Sequence, residues 1–158
     1  DGKTASLLAA ACRIGGIVGG LDRARIEHLT TFGRSYGLAF QIVDDILDLT
    51  ATDDQLGKPA GNDLLEGVYT LPVIRAMQHH QYGPKLVSIL GAPIDTTARD
   101  EARELVRSAG GFTSALDEAR LLADEANESL RSVADTAGGR GLTAAAAHLI
   151  DRVERVGL

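Results

Sequence analysis

The stretch Phe40-Gln41-Ile42-Val43-Asp44-Asp45-Ile46-Leu47-Asp48 sets three carboxylates and an amide into an otherwise apolar run, and its reading decides the fold. Side chains advance about 100° per residue around a helix, so with Asp44 at zero, Asp48 falls near roughly 40°, Gln41 near roughly 60° and Asp45 near roughly 100°. All four polar groups share one face. Leu38, Ala39, Phe40, Ile42, Val43, Ile46, Leu47 and Leu49 fill the rest of the wheel. A helix apolar on every other side packs among neighbours, so the polar stripe is expected to face an internal cavity. Unpaired carboxylates there would be costly, and cations are their natural completion. Oxygen-only ligands at i and i+4 suit Mg²⁺, which keeps several waters and completes its shell with substrate phosphates. A charged stripe facing solvent is the rival reading of an isolated Asp-Asp-x-x-Asp. The surrounding sequence decides between the two.

The chain has 158 residues, the length of one domain with a sizeable core. Its 44% hydrophobic content includes only 4% aromatics, so Ala, Leu, Val and Ile must build that core, which favours closely packed helices. The net charge of −6 is divided evenly between the two halves and forms no basic patch for nucleic acid. A single cysteine, Cys12, has no partner for an internal disulfide and suits a reducing compartment; it reads as core packing. The apolar runs are too short and too broken by glycine to span a bilayer, and no signal peptide is visible, which makes the cytoplasm the expected location. The chain begins Asp1-Gly2-Lys3-Thr4 without a methionine and just before a strong helical pattern, so further sequence is expected upstream.

Helical periodicity dominates from end to end, and no alternating strand emerges. Helices are predicted over about 4–18 and 22–50, followed by a polar loop at 51–67 carrying Asp53-Asp54, Gly57-Lys58-Pro59, Gly61 and Gly67. Thr70-Leu71-Pro72 starts another helix, with Thr70 as its cap, running to about Tyr82-Gly83-Pro84. Shorter helices follow at 85–90 and 97–109, the latter ended by Gly110-Gly111; a longer one spans about 112–135, and the last carries Leu142 to Val153. His28, His79, His80 and His148 have no ligand spacing to one another and read as surface or packing residues.

Three elements of the first half describe a phosphate-binding cavity. Lys3-Thr4 stands at a helix start, where free N–H groups and the macrodipole favour an anion. The carboxylate stripe recruits metal. Lys58 sits in the glycine-bearing loop, a point charge for phosphate oxygens. Taken singly, Lys3 and Lys58 also fit plain solvated surface charges.

At these residues the chain resembles the trans-isoprenyl diphosphate synthases, also called polyprenyl synthetases. The matching pieces are Gly2-Lys3-Thr4-Ala5, Phe32-Gly33 with Gly37, the run from Ala39 to Asp48, Leu56-Gly57-Lys58-Pro59 with Gly61 and Asp63-Leu64, and Thr70-Leu71-Pro72, agreeing in order and spacing. The similarity continues more loosely through Gly110-Gly111 to the last helix. It implies an all-α, isoprenoid-synthase-type helical bundle that condenses isopentenyl diphosphate with an allylic diphosphate through Mg²⁺-assisted ionisation. Carried onto this chain, the resemblance gives Asp44 and Asp48 as Mg²⁺ ligands and Asp45 as a holder of metal-bound water or a lysine. Gln41 hydrogen-bonds nearby, Lys3 and Lys58 neutralise the departing diphosphate, and Thr4 adds a hydroxyl near the cation.

Two departures from the family pattern stand out. Members carry an earlier Asp-rich motif on a facing helix, and no such motif occurs here, so the chain reads as the C-terminal part of a single synthase domain, inactive alone. Val68 stands where many members have a lysine. Association is expected, as a homodimer or with the absent N-terminal half. The rival functions are a non-catalytic regulatory or interaction subunit of a heteromeric prenyl synthase, and a terpenoid cyclase; the second metal motif of the cyclases is not seen here.

Overall fold

The computed structural model describes residues 2–50 and 60–155, and every described element is helical. The order is α1 (Ala5–Val18), α2 (Arg23–Thr50), α3 (Asn62–Leu65), α4 (Leu71–Met77), α5 (Gly83–Leu90), α6 (Thr96–Ser108), α7 (Gly111–Ser129) and α8 (Ala137–Glu154). The all-α expectation holds. The described residues divide between two compact units, one drawn from Asp1–Val43 and Glu118–Arg152, the other from Asp44–Asp117 and Val153–Leu158.

In the first unit, α1 and the N-terminal part of α2 meet through small residues. A Cβ on Gly33 would stand 2.5 Å from the Leu8 carbonyl oxygen and 2.8 Å from Ala9 Cα, and one on Gly37 would stand 2.6 Å from Ala5 Cα. Only glycine permits an approach that close, because the atoms in the way are backbone. Below the crossing, Phe32 packs with Ala126 and Leu130 of the α7 end and Ala146 of α8, flanked by Cys12, Leu29, Tyr36, Val133 and Leu142. The half-buried Cys12 against this cluster bears out its reading as packing, and burial raises its thiol pKa. Phe32 and Tyr36 stack, their ring centroids 5.5 Å apart, so the periodic aromatics of α2 form a ladder along one side.

The second unit collects the last turns of α2 with α3 to α6 and the start of α7. Here α4, α5 and α6 contact one another, and α3 rests on α6. Leu64, Val73, Ala76, Leu86, Leu90, Ala102 and Val106 are its buried apolar residues. Helix α6 is set by Asp95, whose carboxylate accepts the Ala98 amide at 2.8 Å.

The boundaries differ from the sequence reading in instructive places. Helix α4 stops at Met77 rather than near Tyr82, because the His79 ring nitrogen Nδ1 accepts the amides of Gln81 and Tyr82 and makes a turn of that segment. Thr70 does occupy the cap position, yet its side chain makes no capping bond. The expected polar loop contains the short α3, and residues 51–59 within it lie outside those described. Helix α7 ends at Ser129, where the Ser129 hydroxyl turns back to the Ala126 carbonyl, and α8 begins at Ala137, earlier than Leu142.

Candidate functional site

Helix α2 carries Gln41, Asp44, Asp45 and Asp48 in one unbroken helical run, so the shared face read from the spacing is real. Of the apolar remainder, Ala39, Val43, Ile46, Leu47 and Leu49 are buried, whereas Leu38, Phe40 and Ile42 are half-buried. The stripe itself is graded. Asp48 is buried at 6% exposure and Asp45 half-buried, whereas Asp44 and Gln41 are exposed. The expectation of an acidic strip walled in along its whole length is therefore corrected. Only its C-terminal end is buried, where the turn at residues 60–63 bonds to Asp48.

That turn is built on Gly61, whose φ of +69° is one a side chain would strain. The Gly61 amide donates to the Asp48 carbonyl at 2.7 Å, and the Asp63 amide reaches Asp48 Oδ2 at a longer 3.5 Å. The first of these bonds ties the turn to the α2 backbone, and the second sets one amide beside the carboxylate.

At the other end of the motif set, the Gly33 and Gly37 crossing brings the start of α1 against α2. Thr4 Oγ1 donates to Gln41 Oε1 at 3.1 Å, joining two motif segments 37 residues apart in sequence. Beside this pair lies a cavity of about 510 Å³ lined by Lys3, Thr4, Leu7, Leu8, Tyr36 and Phe40. Its walls are mostly hydrocarbon, and Lys3, Thr4 and Tyr36 are the lining residues that carry polar groups. Lys3 is exposed and lines this cavity. Tyr36, Phe40, Leu7 and Leu8 went unremarked as site residues in the sequence, since an apolar stripe at helical spacing reads equally as core. Lys58 lies outside the described residues. Val68 is exposed, and its amide donates to the Asp63 carbonyl. Tyr69 donates its hydroxyl to the Leu90 carbonyl at 2.7 Å, a packing role.

Among the described residues no group of three or more His, Cys, Asp or Glu side chains is arranged to hold a metal alone. The donor set still fits Mg²⁺. Carboxylates on successive turns, Asp48 buried with one amide beside it and Asp44 open to solvent, match the one or two protein ligands that this ion takes when a diphosphate and water complete its shell. No helix among the described residues is long and apolar enough to cross a membrane.

Comparison with known proteins agrees with this layout. Residues 1–109 match the polyprenyl synthetase family. The chain is 37% identical over 154 residues to a nonaprenyl diphosphate synthase of Mycobacterium tuberculosis, covering 95% of this chain and 45% of that protein. It is 40% identical over 151 residues to a heptaprenyl diphosphate synthase component 2 of Geobacillus stearothermophilus, covering 87% of this chain and 47% of the relative. Among solved structures, a geranylgeranyl pyrophosphate synthase from Corynebacterium glutamicum, complexed with calcium and isoprenyl diphosphate, superposes with a TM-score of 0.87 at 36% identity, covering 96% of this chain and 48% of that one. The helices thus have the isoprenoid-synthase fold. The chain belongs to the polyprenyl synthetase family. It spans about half the length of the curated relatives it matches.

Proposed function

We propose that this chain supplies the Asp44, Asp45 and Asp48 side of a trans-prenyltransferase site that condenses isopentenyl diphosphate with an allylic diphosphate. The observation that carries the reading is the Thr4–Gln41 hydrogen bond beside the apolar cavity, because it unites two separate family motifs at a place shaped for a hydrocarbon chain. Asp44 and Asp48 would hold Mg²⁺ with the diphosphate, and Asp45 would hold a metal-bound water or a lysine. Mg²⁺, when bound, draws charge from the leaving diphosphate and so eases ionisation of the allylic C–O bond. Lys3 and Lys58 neutralise that leaving group. The walls formed by Leu7, Leu8, Tyr36 and Phe40 keep water from the cation. Gln41 holds the Thr4 hydroxyl in place, presenting its oxygen to positive charge. The isopentenyl double bond attacks the allylic cation, and the new cation loses a proton to restore an alkene.

On this reading the chain is one part of a synthase domain, needs the first Asp-rich motif from elsewhere, and makes no elongated product alone. The likeness to a heptaprenyl synthase called component 2 favours work within a larger assembly, whether as a homodimer or with a complementary segment. A lone cysteine favours the cytoplasm. The test is Mg²⁺-dependent binding of a non-ionisable thiolodiphosphate analogue of an allylic substrate, measured by calorimetry. Binding should weaken at least tenfold in Asp44→Asn and Asp48→Asn. Metal-independent binding unchanged in both variants refutes the assignment, and incorporation of labelled isopentenyl diphosphate by the chain alone refutes its partial nature.

A further inference from the structure

Two arginines of α6 lie under the turn that encloses Asp48, and neither belongs to the motifs described so far. Arg103 Nε donates to the Leu49 carbonyl at 2.7 Å. That carbonyl is one of the last four of α2, which have no partner within their own helix. Its neighbour, the Asp48 carbonyl, is taken by the Gly61 amide. A cation at this point also opposes the negative end of the helix macrodipole. Arg99 is 8% exposed, and its Nε and Nη2 both donate to Asp100 Oδ1 at 2.9 Å. Arg103 Nη1 reaches the same oxygen at 3.5 Å, so one carboxylate ties the two guanidinium groups together. The hydrocarbon stems form the floor of the turn. A Cβ on Gly61 would meet Arg99 Cδ at 3.2 Å and Arg103 Cδ at 3.3 Å.

We propose that Arg103 is a positioning residue for Asp48, acting with the Arg99 stem and Gly61 as a bracket that fixes the last turn of α2 and, with it, the Asp63 amide beside the Asp48 carboxylate. The inference rests on the reading of Asp48 as a metal ligand. Removing the Nε–H takes this bond from the Leu49 carbonyl, loosens the final turn of α2 and lets the Gly61 turn drop, so Asp48 loses its place against the Asp63 amide. Partners of this outer kind shift metal affinity by about 10–100-fold.

The probe is Mn²⁺ with inorganic pyrophosphate, its binding to the full chain followed by electron paramagnetic resonance. Arg103→Gln should weaken Mn²⁺ about tenfold, and Arg103→Lys, which restores a charged donor, should recover most of that loss. Val106→Ala, a truncation at a buried position of the same helix, should lower the melting temperature with Mn²⁺ affinity unchanged. If Arg103→Gln does not fold, Gly61→Ala, strained at its positive φ, should show the same weakening in a folded chain. Unchanged affinity in a folded Arg103→Gln or Gly61→Ala variant overturns the proposal, as does equal weakening in Val106→Ala. Asp48→Asn separates this failure from that of the metal site. If Mn²⁺ binding is absent or indifferent to Asp48→Asn, the metal reading fails and the role of Arg103 with it. If binding depends on Asp48 but not on Arg103, only the positioning role falls.

Discussion

Replacing Gly33 by alanine tests the contact on which the Thr4–Gln41 pair depends. The new Cβ would lie 2.5 Å from the Leu8 carbonyl oxygen and 2.8 Å from both Leu8 C and Ala9 Cα, all backbone atoms of α1 that no rotamer change can move. Overpacking of this kind costs about 1–3 kcal/mol, and immovable neighbours put the cost toward the upper end. Alanine also gains about 1 kcal/mol of helix propensity over glycine, leaving a net loss of about 1–2 kcal/mol. Gly15 supplies the internal comparison. It lies in α1, and a Cβ placed there would meet nothing within 4 Å, so Gly15→Ala should gain about 1 kcal/mol. The two variants should therefore differ by about 2–3 kcal/mol. At about 2–4 °C per kcal/mol for this chain length, that is a gap of about 4–12 °C in melting temperature, read by circular dichroism at constant pH. Gly33→Ala melting at or above the unaltered chain would refute the close crossing of α1 and α2, and with it the placement of Thr4 against Gln41.

Three further outcomes follow from single contacts. Asp95→Ala removes the carboxylate that accepts the Ala98 amide, and urea denaturation should show a loss of about 1 kcal/mol, with Asp95→Asn close to the unaltered chain. The amide of Arg25 donates to Asp22 and holds its carboxyl below the ordinary carboxylate pKa. A lowered native pKa means stabilisation that is complete above the unfolded-state value and disappears as pH falls through the native one, so melting temperature should decline on acidification below about pH 4, and Asp22→Asn should flatten part of that decline. Burial raises the Cys12 thiol pKa, so at neutral pH a disulfide reagent should label the native chain far more slowly than the urea-unfolded chain; equal rates would contradict the packing of Cys12 against the Phe32 cluster.

The assembly expected of the chain bears on how each of these is read. A homodimer or a complemented synthase buries surface that the isolated chain leaves open, and mass action then makes melting temperature depend on concentration. Light scattering at micromolar concentration decides this point: a monodisperse monomer contradicts the expected self-association.

The sequence alone determined the helices and the angular order of side chains around each of them, because the helical repeat is a local property of the chain. Gln41, Asp44, Asp45 and Asp48 had to share a face, Val43, Ile46 and Leu49 had to point elsewhere, and Thr4 had to stand at a helix start. Boundaries proved less legible where one side chain overrules the periodicity, as His79 does after α4. Tertiary structure alone decided what lies beyond each face. Asp48 is buried beside an exposed Asp44 and is bonded by a turn that begins twelve residues later in the chain. The Thr4–Gln41 pair needs two glycines of α2 set against the backbone of α1. Arg103, 54 residues from Leu49, reads in sequence as one more charge on an amphipathic helix. Periodicity fixes an angle about one axis, whereas burial, cavity and bracket depend on which second segment crosses that axis and how near it comes.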